Sequence, residues 1–380
     1  MSISALQRRA REARGWLLDS CFPLWADHGV NEAGLFPEAL TMSLDEASGS
    51  FTRVRVQARQ TYVFSEAWRL GWKRETAARL VHAGVATLAG NALNAQGLAG
   101  RTLSTGSGHL VDTTFDLYDT AFVLFALADA ARGPGPAEPA LAAANGILAS
   151  LEREARDTVH GGYAEALPKP AQRQQNPHMH LLEACLALHI VQPDAGHMSR
   201  AQELVGLFET KLTAGENGLL GEFFAPDWSP LPGDPSRVVE PGHQLEWVWL
   251  LHAYARLRGE PVSPAAERLY AFALTTLDIE GRAIQSAARG GAPIDASRRA
   301  WPQSEALKAH LSMFEARRDE RFAAAACRSF DVLMDEYLTE DGGWVDHFAA
   351  DGAILSNTIP ASTGYHVVLA FAELIRVMNA

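Results

Sequence analysis

At 380 residues, with 47% hydrophobic and 21% charged side chains, the chain has ample material for a core and the make-up of an ordinary globular protein. Its 33 Lys+Arg against 45 Asp+Glu leave a net charge of −12, which argues against non-specific binding to nucleic acid or to an anionic membrane surface. A few local arginines can still hold a small anion. No window approaches the ~18 uninterrupted apolar residues of a membrane span. Cys21, Cys185 and Cys327 stand far apart without CxxC spacing, as expected of reduced, buried thiols in a cytoplasmic protein.

The N-terminal stretch places Arg8, Arg9, Arg11, Glu12 and Arg14 before any apolar run. A first amphipathic helix over residues 5–25 is therefore expected, not a cleaved leader. Beyond it, a polar residue followed by Gly and commonly a large apolar residue keeps returning. It appears as Asn31…Gly34-Leu35-Phe36, Asn94…Gly97-Leu98 and His160-Gly161-Gly162-Tyr163. It returns as Asn217-Gly218-Leu219, Glu280-Gly281-Arg282 and Asp341-Gly342-Gly343-Trp344. A spacing of roughly 60 residues signals a repeat architecture. Each copy reads as a tight turn in which Gly supplies the positive φ and a short hairpin opens.

Between the turns lie paired helical patterns. Residues 76–93, 139–154, 201–212, 264–277 and 321–338 are mostly Ala-rich and amphipathic, fitting an outer helix of each pair. Residues 56–71, 115–131, 178–190, 242–258, 302–316 and 364–378 supply the other member. With the first helix this makes about twelve helices in six pairs, and six α-hairpins can close into a ring that hides their apolar faces. The expected fold is all-α, an (α/α)6 barrel forming one domain over 1–380.

Polar residues fall on the same period at the starts of the second helix set: Arg59, Tyr118-Asp119, His180, His243, Gln303 with Glu305, and His366. In a ring they converge on one mouth, which points to an enzyme. In Pro241-Gly242-His243-Gln244-Leu245-Glu246-Trp247, Pro and Gly end a loop and place His243 and Glu246 three apart in a first helical turn, on one face. Glu246 is expected to orient His243, with the helix dipole disfavouring imidazolium and keeping that ring neutral. His178-Met179-His180 has a metal-like spacing, but the two rings point apart on a helix, and no metal is expected. Of the two, His180 is the pocket residue and His178 a surface one. Among Asp112, Asp116 and Asp119, solvation or capping is the expected role of at least two. Arg53, Arg55 and Arg59 oppose the dipole at a helix start and so need an acidic partner or an anionic ligand.

These residues resemble the N-acylglucosamine 2-epimerase superfamily of sugar epimerases and aldose–ketose isomerases. The resemblance spans the chain: Trp25-Ala26-Asp27-His28-Gly29, Gly34-Leu35-Phe36-Pro37-Glu38, Gln57-Ala58-Arg59-Gln60, Tyr118-Asp119-Thr120-Ala121-Phe122, Asn176…His180-Leu181-Leu182-Glu183, Pro241-Gly242-His243…Glu246-Trp247, Trp301-Pro302-Gln303-Ser304-Glu305 and Tyr365-His366. It implies the (α/α)6 barrel, with His243 and His366 as an acid/base pair at C2 of an open-chain sugar and His180 assisting ring opening. It further implies Glu246 tuning His243 and Arg59 stabilising a cis-enediolate. Tyr118, Asn176, Trp301 and Gln303 would hold the sugar, with no cofactor, and a homodimer is possible.

One departure bears on the substrate: Arg55 stands where sugar-binding members carry Trp. Arg55, with Arg53 or Arg237, could hold a phosphate. The pattern around Arg55–Gln60 and Tyr118–Phe122 looks most like mannose or mannose-6-phosphate isomerases. The expected reaction is therefore mannose, or its 6-phosphate, to the fructose counterpart; a 2-epimerase of the N-acylglucosamine or cellobiose type is the alternative, then a glycoside hydrolase on the same barrel. An open basic pocket at Arg55 favours phosphate, and a buried carboxylate partner favours the neutral sugar.

Overall fold

The computed structural model describes residues 2–47, 49–233 and 237–379; Met1 and Ala380, the ends of the expected 1–380 unit, lie outside them. The helices are α1 Ser2–Trp16, α2 Phe22–Asp27, α3 Val54–Arg69, α4 Arg74–Ala86, α5 Leu117–Arg132, α6 Ala137–Ser150 and α7 Asn176–Val191. They continue as α8 His197–Leu207, α9 Pro241–Arg258, α10 Pro264–Leu274, α11 Ala300–Arg317, α12 Glu320–Val332 and α13 Gly364–Asn379. A wide π-type turn, Leu17–Cys21, joins α1 to α2 without a loop, so the two act as one outer helix.

Six helices close an inner ring, each packed on the next: α3, α5, α7, α9, α11, α13 and back to α3. Each inner helix also packs against an outer one, α4 on α3 through α12 on α11, while α1 lies against α12 and α13. This is the expected (α/α)6 barrel. Burial follows position. Outer α12 buries a stripe at Ala323, Ala326, Cys327 and Phe330, whereas inner α7 buries eleven of its sixteen residues, on every face, as a helix walled in by neighbours must.

All six recurrent turns form, with positive φ at Gly34, Gly97, Gly161 and Gly162, Gly218, Gly281 and Gly342. In three of them an Asn or Asp side chain closes the loop: Asn31, Asn94 and Asp278 each accept two backbone N–H groups across it. At Gly342 a Cβ would stand 2.4 Å from the Ser20 backbone, so this turn also locks the last repeat onto the first.

The hairpin expectation needs refinement. The short strands pair mainly between successive repeats: Phe51–Arg53 with Thr102–Ser104, Arg173–Gln174 with Phe223–Phe224, Val238–Val239 with Ser286–Ala288, and Arg298–Arg299 with His347–Phe348. Ala39–Thr41 pairs with Thr358–Pro360 and closes the circle. Each of these pairs carries a strand that runs within a few residues into an inner helix, so the strands form a rim around the inner-helix N-termini.

Buried glutamines tie rim to ring. Gln57 accepts from Phe36 N–H and donates to the Phe36 carbonyl; Gln244 does the same at Leu220. Gln303 accepts from Ala283 N–H and donates to the Gly281 carbonyl, at 3.1 and 3.0 Å. Gln303 is fully buried and therefore does not hold substrate, contrary to expectation: both ends of its amide are used by backbone. In the third repeat His178 takes this place, its Nε2 accepting from Tyr163 N–H at 3.0 Å. It is a buried structural residue, not a surface one. Replacing Gln303 by Leu leaves two buried backbone groups unpaired and should cost about 3 kcal/mol, read as a lower midpoint in urea denaturation with an unchanged slope.

Candidate active site

The first turns of all six inner helices open on one cavity of about 320 Å³. It is lined by Arg53, Arg55, Arg59, Tyr118, Asn176, His180, Glu240, His243, Glu246, Gln285, Arg299, Trp301, Ser362, Thr363 and His366. Of the residues singled out from the sequence, the fold thus gathers His243, His366, His180, Glu246, Arg59, Arg55, Tyr118, Asn176 and Trp301. Gln303 lies behind the wall. Arg237 is exposed on the approach to the strand Val238–Val239 and does not line the cavity. Helix N-termini carry partial positive charge, so six of them facing one mouth favour negative charge developing there.

Trp301 stands between the two expected proton-transfer rings, 5.0 Å from His243 and 5.7 Å from His366, centroid to centroid. Its position explains Gly242: a Cβ there would lie 2.5 Å from the indole. That glycine sits inside α9 and serves the close approach of Trp301, not a loop break. Asn176 Oδ1 is buried without a partner, an acceptor left for a ligand hydroxyl.

His243 Nδ1 donates to Glu222 Oε2 at 2.8 Å, with Glu240 Oε2 at 3.6 Å. The partner is therefore Glu222 and not Glu246. Burial opposes charge on this ring, but Glu222 and Glu240 together outweigh it and raise its pKa to about 10. His243 is an imidazolium, contrary to the neutral ring expected from the helix dipole, because two carboxylates at contact distance exceed a half-charge at the helix end. Glu222 follows Gly221 at the foot of a recurrent turn, in the same place as Glu38, Glu165 and Asp346; that repeated acid is the signal in the sequence that marks it.

His366 Nδ1 and Glu305 Oε1 share a hydrogen bond at 2.8 Å. Burial, then Arg59 and Lys308, hold its pKa well below the ordinary value, so it is neutral. His180 is also neutral: burial brings it to about 3, against the pull of Glu246. Its Nδ1 donates to Glu183 Oε2 at 3.0 Å, and the Tyr365 hydroxyl donates to the other Glu183 oxygen. Glu246 Oε1 is buried without a hydrogen bond, 4.0 Å from His180 Nδ1. In the inner ring, Glu246 and Glu305 each stand two residues after a clamping glutamine, as Arg59 stands after Gln57 and His180 after His178. The converging set therefore reads Arg59, His180, Glu246, Glu305 and His366, with His243 a turn nearer the rim.

Arg59 is buried, donating to the Ser362 carbonyl and to the Tyr118 hydroxyl at 3.1 and 2.7 Å, with Nε unpartnered. Its guanidinium lies 4.1 Å over the Phe122 ring. The other cavity arginines have carboxylates: Arg53 with Glu38, Arg299 with Asp346, and Arg55 with Asp119. The Arg55 pair is bidentate at 2.9 and 2.7 Å, and Asp119 also accepts the Arg55 backbone N–H. Asp119 is fully buried and Arg55 largely so. Asp116 caps α5, as expected for that trio of acids.

Among the described residues, three His–carboxylate groups bring ligand-type atoms within 4.8 Å: His180/Glu183/Glu246, Glu222/Glu240/His243 and Glu246/Glu305/His366. In each, a ring Nδ1 already bonds or closely faces a carboxylate, and the Lys308 ammonium lies 2.7 Å from Glu305. The donor set is arranged to share protons.

The model of the N-acylglucosamine 2-epimerase (GlcNAc 2-epimerase) family matches residues 42–370. A protein named mannose-6-phosphate isomerase from Rhizobium meliloti is 34% identical over 378 residues, 96% of both chains. A cellobiose 2-epimerase from Bacteroides fragilis is 28% identical over 65% of this chain and 67% of its own. Among solved structures, a cellobiose 2-epimerase from Spirochaeta thermophila superposes with a TM-score of 0.87 at 23% identity, over 98% of this chain and 97% of the other. A D-mannose isomerase superposes at 0.85 and 20% identity, over 98% and 97%. These two share the fold.

Replacing Glu222 by Gln should lower the His243 pKa, read by NMR titration of the imidazole. Since the folded state holds this proton more tightly than the unfolded chain, its stabilisation is complete below about pH 6.5 and is lost as pH rises toward 10. The variant should therefore lose stability relative to the parent at neutral pH and show a flatter alkaline decline; an unmoved titration would refute the pairing.

Proposed function

The chain belongs to the N-acylglucosamine 2-epimerase family, and from that premise we propose that it is an aldose–ketose isomerase interconverting mannose and fructose through a cis-enediolate. The observation that carries this reading is the pair His243 and His366, held in opposite protonation states on either side of Trp301. A proton acid and a proton base with pKa values driven apart in one cavity are what acid/base transfer requires.

In the proposed sequence, neutral His366 takes the proton from C2 of the open-chain aldose. The electrons form the C1–C2 double bond, and O1 gains the charge. Arg59, the cavity arginine without a carboxylate partner, faces that oxyanion, as do the helix N-termini. Imidazolium His243 gives its proton to O1, and the ring, now neutral, takes the O2 proton as His366 returns its proton to C1 and the ketone forms. His180, neutral and fixed by Glu183, assists ring opening; Asn176 and Trp301 hold the sugar.

The unphosphorylated sugar is favoured because Arg53, Arg55 and Arg299 are each matched by a carboxylate, which leaves the rim without net charge to hold a dianion. The name of the 34% relative supports the 6-phosphate as the second reading. For the 2-epimerase alternative, Arg55 in place of the expected Trp removes a flat surface for a second sugar unit.

Incubation with mannose, followed by ¹H NMR in D₂O, should give fructose, with deuterium at C1 in the fraction of turnovers in which the proton on His366 exchanges with solvent before its return; a C2 epimer alone would overturn the isomerase reading. His366→Ala should lower kcat by at least 10³-fold. Compared side by side, mannose should have a higher kcat/KM than mannose 6-phosphate, and the reverse order would show that the paired arginines still bind phosphate.

A further inference from the structure

Beneath the catalytic cavity three carboxylates are fully or almost fully buried: Glu183, Glu246 and Glu305. A single ammonium, that of Lys308 on α11, is buried with them, at zero exposure. Lysine is rarely buried to this degree unless it is paired. Its Nζ lies 2.7 Å from Glu305 Oε2, without hydrogen-bond alignment, and 4.0 Å over the Trp249 ring. Glu305 reaches the other way: its second oxygen, Oε1, lies 2.8 Å from His366 Nδ1. The three residues thus form one line, ammonium to carboxylate to imidazole, running up from the barrel interior into the cavity.

A carboxylate in this setting has two choices. Ionised, it accepts from His366 Nδ1 and leaves Nε2 as a bare lone pair. Protonated, it donates to Nδ1, and the ring proton must then sit on Nε2. Which holds depends on whether Glu305 can stay charged: burial and then Glu246 push its pKa well above the ordinary carboxylate value, and Lys308 is the group that opposes them. The counter-cation in contact is Lys308. We propose that Lys308 is a positioning residue whose ammonium keeps Glu305 ionised, fixing the His366 proton on Nδ1 and freeing Nε2 as the base. Other charged or titratable groups facing His366 are Tyr365 beside it on α13, Arg59 from α3, His180 from α7, and His243 and Glu246 from α9; among the described residues none of these is hydrogen-bonded or ion-paired to Glu305 Oε2.

This inference rests on the proton-transfer reading of His366, so its first readout needs no substrate. Two-bond ¹⁵N–¹H couplings of the labelled imidazole report the tautomer directly. The parent protein should show Nδ1–H at His366 and Lys308→Met should show Nε2–H, with kcat reduced at least 100-fold and KM within about threefold. Adding Glu305→Gln to Lys308→Met supplies a neutral acceptor that needs no cation. The double variant should regain the Nδ1–H tautomer and at least tenfold in kcat, which a merely structural loss would not allow. A folded Lys308→Met protein with the parental tautomer and kcat overturns the proposal. If that variant does not fold, the double variant decides alone: Nδ1–H upholds the proposal and Nε2–H overturns it. A tautomer switch in a protein that isomerises no sugar would instead sink the functional reading and leave the role of Lys308 standing.

Discussion

Six inner helices begin at one mouth, and the first-turn N–H groups of each must find acceptors there or remain unpaired in a partly dry cavity. The rest of the site follows from how this is met. Acids at the feet of the recurrent turns reach across to the next repeat. Glu38 accepts the Arg53 backbone and side-chain N–H groups, Glu165 accepts from Gln174 N–H and Arg173, and Glu222 accepts from Glu240 N–H and Gln175. Asp346 does so through its backbone carbonyl, to Ala300 N–H, and through its side chain, to Arg299. One device thus satisfies helix starts, joins neighbouring repeats and neutralises the rim arginines.

That device also sets the cavity's charge. A rim of paired arginines presents donors without much net field, while Arg59, deeper and facing aromatic rings and neutral oxygen acceptors, keeps its charge for whatever anion forms beside it. The arrangement suits a neutral substrate that becomes charged only as it reacts, since binding energy is then spent on the intermediate and not on the ground state.

The repeat was legible because it is written in residues with few alternatives. Glycines at positive φ and apolar stripes at helical spacing fixed six turns and twelve helical rods with little error. Which polar residue of each first turn faces inward was harder to read. Neighbouring positions on a helix differ by about 100°, and the inner helices are buried on every side, so no polar face marks the lumen. Gln303, named together with Glu305, was thus taken for a substrate-holding residue although both ends of its amide are held by backbone, and His243 was aligned with His180 where Glu246 is its counterpart. Glu246 was assigned to His243 by proximity in sequence, while the real partner, Glu222, comes from the preceding hairpin and meets it only through the fold. Lys308 gave no signal, because a lysine in a helix reads as solvated until its neighbours are known.

The two histidines proposed as acid and base were placed by the sequence pattern but not charged by it. Each bonds a glutamate through Nδ1 at 2.8 Å, and from that bond alone both should be equally basic. The difference lies one contact further out. Behind Glu222 stands a second carboxylate, Glu240, so His243 sits among negative charge that exceeds the cost of its burial. Behind Glu305 stands an ammonium, and burial first, then Arg59 and this Lys308, keep a second proton off His366. In a ring of similar repeats, with similar first turns, the chemistry is differentiated by the partner of the partner, which is where a barrel built from one motif has the most freedom to vary.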